Sequence, residues 1–139
     1  MAKVSMFTLC DSIENVHTPG GVVTHLVAPR TVLRPEFVPS NFSFGVSIGV
    51  RDLDFSVPNK VKFIISSPSG KILQESSDIN IEIPHVEDTL PTEHQGFSIN
   101  IDVRNLSVPE EGVYSFVLIV NDNPLETQEI PIFKGQKYD

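Results

Sequence analysis

Apolar and polar residues alternate with a period of two through most of the chain. The clearest run puts Phe42, Phe44, Val46, Ile48 and Val50 on one side, with Ser43, Gly45, Ser47, Gly49 and Arg51 on the other. Successive side chains of a strand point to opposite faces, so the run predicts a strand with one buried face. The pattern recurs at Val61, Phe63 and Ile65, at Ile79, Ile81 and Ile83, and at Phe97, Ile99, Ile101 and Val103. Val4 to Cys10 and Val22 to Ala28 read as two more strands. Val113 to Val120 is apolar on both sides, which predicts a central strand covered on both faces.

Punctuation supports the same picture. Eleven prolines are spread along the chain, and proline excludes a helix interior. Ser67-Pro68-Ser69-Gly70 is a tight-turn sequence, with Lys71 to Glu75 returning as the second arm of a hairpin. Asn121-Asp122-Asn123-Pro124 is another turn, and Glu126 to Phe133 runs back from it. Pro131 inside that run requires an edge strand or a bulge. Two long loops are expected, Asp11 to Gly21 and Pro84 to Gly96. The sum is an all-β chain forming a single antiparallel β-sandwich, Ig-like or C2-like, of eight or nine strands. It occupies residues 1–134, with a frayed tail at 135–139.

Composition narrows the class further. The chain has 139 residues, enough for one domain, with 40% apolar and 20% charged residues, so a packed core is available. Ten Lys/Arg against eighteen Asp/Glu give a net charge of −8. That balance opposes nucleic-acid binding and docking on an anionic membrane. Residues 1–71 carry seven basic and five acidic side chains, and residues 72–139 carry three and thirteen, so the second half is the acidic one. Cys10 is the single cysteine and the opening residues show no apolar signal core, which together point to the cytoplasm.

Few residues offer chemistry. His85 and His94 bracket a loop with Glu87, Asp88 and Glu93, and imidazoles with carboxylates are the ligands of zinc-like metals, although the spacing matches no standard site. The weak metal set is therefore His85, Glu87, Asp88 and His94. Asp52 and Asp54 form a D-x-D pair, but calcium needs six to eight oxygens, so Asp78, Asp88 or Asp122 would have to join them. Cys10 closes an apolar strand and reads as a small buried hydrophobe rather than a nucleophile. No nucleophile-elbow, zincin, phosphate-loop or dinucleotide motif occurs, so no enzyme activity and no cofactor are expected.

The small-residue row Ser43, Gly45, Ser47, Gly49 is less ordinary. Glycine inside a strand weakens it and marks a bulge or a close backbone approach, and a flat row of this kind is a candidate protein-binding face. On that reading Gly45→Arg and Gly49→Arg abolish self-association and leave a folded monomer.

Several segments carry a family likeness: Phe7-Thr-Leu-Cys-Asp11, the stretch from Gly21 to Pro29, Pro35-Glu-Phe-Val-Pro39, Ile65-Ser-Ser-Pro-Ser-Gly70, and Val108-Pro-Glu-Glu-Gly112-Val-Tyr114-Ser-Phe116. Over residues 5–133 the chain resembles a family of small bacterial proteins of unknown function. The resemblance implies a β-sandwich and transfers no activity to any residue. The expected function is thus a non-enzymatic interaction module that binds a protein partner or self-associates as a homo-oligomer, with no nucleic acid and no membrane. The rival expectations are a phage structural or anti-defence protein, and a metal- or ligand-binding sandwich.

Overall fold

The alternation seen in the sequence becomes two packed antiparallel sheets. A computed structural model describes residues 2–81, 91 and 94–135. Its strands are β1 (Lys3–Thr18), β2 (Gly21–Arg30), β3 (Ser40–Arg51), β4 (Asn59–Ser66), β5 (Ile72–Glu75), β6 (Ile79–Ile81), β7 (Gly96–Val108), β8 (Gly112–Val120), β9 (Asn123–Pro124) and β10 (Gln128–Ile132). One sheet has the order β2-β1-β3-β7. The other has the order β10-β8-β4-β5, with β6 on β4 and β9 on β8. Among the described residues there is no α-helix, and no helix long and apolar enough to cross a membrane.

The core lies where the period-two pattern puts it. Phe44, Val46, Ile48 and Val50 of β3 face Val61, Phe63 and Ile65 of β4 and Tyr114, Phe116, Leu118 and Val120 of β8 within one buried cluster. Phe116 joins the layers, with ring centroids 5.4 Å from Phe7 of the first sheet and 5.5 Å from Phe63 of its own. Rings at such spacing add to simple area burial.

The turns match their chemistry. Ser67 Oγ accepts the amide of Lys71, the Gly70 amide donates to Ser67 O, and Gly70 has a φ of +93°. Gly112 opens β8 at a φ of +149°, and a Cβ there would come 2.7 Å from Pro68 Cγ. Two residues on, buried Tyr114 donates its hydroxyl proton to Glu110 O at 2.6 Å, the tyrosine corner of sandwich folds. Pro131 lies in β10, the end strand of its sheet, as a residue without an amide proton should.

Two expectations change. The segment 11–21 is not a loop: β1 continues to Thr18, and Pro19-Gly20 forms the hairpin tip. Ser12-Ile-Glu-Asn-Val-His17 contains no glycine or proline, so nothing in it breaks an extended chain. The second change concerns β8. Tyr114, Phe116, Leu118 and Val120 are buried, but Val117 and Ile119 are half-buried and Val113 is exposed. Only one of its faces is fully covered among the described residues. A tenth strand, β9, adds two residues within the turn after β8.

Candidate functional site

The long first hairpin is the feature the sequence pattern did not show. β1 pairs with β3 only from Lys3 to Cys10, whereas its pairing with β2 runs from Leu9 to Thr18. Beyond Cys10, among the described residues, β1 and β2 form ladder pairs only with each other and make a ribbon projecting from the sheet. At about 3.3 Å per residue its seven-residue arm, Ser12 to Thr18, reaches roughly 20 Å. Thr18 Oγ1 donates to Gly21 O at 2.8 Å across the tip. At the base, Arg30 grips the Asp11 carboxylate with two bonds of 2.8 and 2.7 Å. This guanidinium holds the Asp11 carboxyl below the usual carboxylate range.

The ribbon exposes apolar residues on both faces. Val16 stands opposite Val23, and Val22 opposite His17. Val22 is 59% exposed and Val23 43%, and Val16 is also exposed. A two-stranded hairpin is marginally stable in water by itself and needs a third strand or a packed face. In the ladder, residues 12–18 stand opposite residues 21–27 around Pro19-Gly20, and that Pro-Gly turn pair is the signal in the sequence that could have revealed the ribbon.

The small-residue row lies elsewhere. Gly45, Ser47 and Gly49 are in β3, the second-last strand of the sheet, and all three are buried. Cys10, Thr8 and Met6 of β1 flank them on one side, and Asp102, Asn100 and Ser98 of β7 on the other. A Cβ on Gly45 would sit 2.7 Å from Cys10 Sγ and 2.8 Å from Ile13 Cγ1. The row is therefore the floor of a dish, and the exposed rim is Met6, Ser98, Asn100 and Asp102. Ser43 is exposed at the bulge between Phe42 and Phe44, where its Oγ accepts the Asn105 amide. Cys10 is fully buried, and burial together with the nearby Asp11 and Asp102 carboxylates pushes its thiol up, so it stays protonated.

A half-open cavity of about 850 Å³ occupies the end of the sandwich opposite the ribbon tip, where Lys3 begins β1. Its walls include Val4, Leu53, Val57 and Leu125, with Asp54 and Glu126 at its polar side. Asp54 Oδ1 accepts both the amide and the hydroxyl of Ser56, so that carboxylate organises its own loop. Buried Asn59 holds the same loop by donating to Asp54 O at 2.9 Å and Val57 O at 3.2 Å. No three His, Cys, Asp or Glu side chains converge as a metal site among the described residues. Of the proposed metal set, His85, Glu87 and Asp88 lie outside the described residues. His94 is exposed in a single turn, its amide donating to Pro91 O.

The fold and these surfaces define a class: a two-sheet antiparallel β-sandwich with a projecting β-ribbon. A family model matches residues 5–133, nearly the whole chain, and the chain belongs to DUF6941, a family of unknown function. No curated protein matches it.

Proposed function

We propose that the protein is a non-enzymatic interaction module of the cytoplasm that engages a protein partner through the β1–β2 ribbon. The carrying observation is the exposure of Val22 and Val23 on a two-stranded arm that has no third strand beyond Cys10 among the described residues. Apolar side chains on such an arm cost stability while they face water, and an added strand or an apposed surface relieves both deficits. The high thiol pKa and full burial of Cys10 remove the most nucleophilic side chain from surface chemistry, which favours binding over catalysis. A lone buried cysteine also suits a reducing compartment.

Site-specific photo-crosslinking in the native host tests this reading. A photoreactive residue at Val22 yields a protein adduct, whether to this chain or to another, and the same residue at Val113 on the other sheet does not. Absence of any adduct at Val22 overturns the proposal.

A further inference from the structure

The ends of the two sheets differ in how they are guarded. Natural proteins blunt sheet edges with charges, proline, bulges, shortness or a covering segment. The edge of β10 is covered, since Leu33 bridges Ile132 and the Gly135 amide donates to Pro35 O. β5 and β6 are only four and three residues long, and Lys62 pairs with Glu75 across the first of them. β7 carries exposed Asp102 and Arg104 and is bent at Asn105, whose φ is +53°. β2 has none of these devices between Val22 and Val27. That stretch, Val-Val-Thr-His-Leu-Val, bears no Lys, Arg, Asp or Glu. The neighbouring charge of Arg30 is neutralised by Asp11. Among the described residues nothing pairs with its outer side.

We infer that the occupant of this edge is a second copy of the chain, its β2 running antiparallel to the first and joining two four-stranded sheets into one of eight. This rests on the interaction-module reading and names its partner. Two arguments select a second copy. Two copies of a chain of net charge −8 repel each other, so they meet only where neither presents carboxylates. The β2 stretch from Val22 to Val27 carries no Asp or Glu and is such a place. The stretch is also self-complementary. A two-fold axis perpendicular to the sheet keeps like faces together and makes the contact isologous. Ala28, with a φ of +52°, ends the extended run, so the usable span is Gly21 to Val27 and its centre is Thr24. With the axis at Thr24, each Val22 faces Leu26 of the other copy, and the two Thr24 side chains face each other. Threonine–threonine and aliphatic pairs are favourable cross-strand neighbours.

Light scattering of the purified full chain across a concentration series gives twice 15.4 kDa, and Val22→Lys gives the single-chain mass with an unchanged circular dichroism spectrum. Val22 is 59% exposed, so the lysine does not disturb the core. Register is read separately. Thr24→Cys forms an intermolecular disulfide on mild oxidation, because residues directly opposite in a sheet have Cβ atoms about 4.5–5.5 Å apart. Val22→Cys does not, and Cys10 is buried out of reach. A monomer at all concentrations with no Thr24→Cys crosslink overturns the second-copy inference. A heavier adduct at photoreactive Val22 from a chain that is monomeric when pure also overturns it, while upholding the interaction module.

Discussion

Cys10 lies directly opposite Gly45 in the ladder between β1 and β3, and its sulfur occupies the space a Gly45 side chain would need. The contact ties the last residue of β1 paired to β3 to the sheet at the point where the ribbon departs. Gly45→Ala should therefore destabilise by about 1–3 kcal/mol, the usual cost of overpacking a filled site. Adding Cys10→Ala should recover part of the loss, with a coupling of about 0.5–3 kcal/mol. Urea midpoints of the four proteins measure both. An unchanged midpoint for Gly45→Ala would mean that the sulfur is not fixed there. Gly45→Arg has still less room, and the fold rather than self-association should fail.

Tyr114 makes an alkaline prediction. Burial raises its phenol above the ordinary 10.0, and burial with two carboxylates raises Cys10 above 9.0. Both groups ionise more readily in the unfolded chain than in the folded one. Their stabilising contribution is full below those ordinary values and is lost as pH climbs from them through the raised values of the folded state. Stability should thus fall as pH rises above about 9. Tyr114→Phe should cost about 1–2 kcal/mol at neutral pH through the lost bond to Glu110 O, and it should flatten the decline above pH about 10. Chemical denaturation at several pH values decides, and an equally steep decline in the Phe variant would refute the assignment.

The sheets were legible in the sequence because one-sided burial writes itself as alternation, as the buried Phe44, Val46, Ile48 and Val50 show. The Tyr114 corner and the Ser67–Gly70 turn were legible because each rests on neighbours within four residues. The ribbon was not, because Asn15, Val16 and His17 have no buried face to alternate against, and without a core a strand resembles a polar loop. The small row was readable as a close approach, but what approaches it, Cys10 and Ile13, comes from a strand more than thirty residues away. Likewise, apolarity on both sides of β8 predicted a second cover that Val113 does not receive.

Asn59 is the polar anchor of the loop beside the cavity. Its amide feeds the carbonyls of Asp54 and Val57, and its Oδ1 accepts Asn121 Nδ2 at 2.8 Å. Asn59→Ala leaves these groups without partners and should cost about 1–3 kcal/mol. Asn59→Asp keeps the shape yet turns an acceptor toward two carbonyl oxygens, so it should cost at least as much. Thermal unfolding measures the loss, and limited proteolysis should move to residues 52–58 in both variants. Near-native behaviour of Asn59→Asp would show that shape, not donation, holds the loop.

Arg30 and Asp11 clamp the ribbon where it leaves the sheet, and their removal should be felt locally. Both side chains are nearly half exposed, so salt screens the pair and its effect on global stability is small. The Asp11 carboxyl lies below 3.8 because Arg30 donates to it, so the clamp is intact above that value and is released as pH falls through the lowered one. Hydrogen exchange separates local from global opening. In a Val22→Lys background, where pairing between copies is removed, Arg30→Ala should speed exchange of the amides from Ser12 to Val27 and leave β4 and β8 unchanged. High salt should act in the same direction on the parent. Ribbon amides that exchange at the parental rate would show that the β1–β2 ladder needs no clamp, and acceleration in β4 and β8 as well would show that ribbon and core open together.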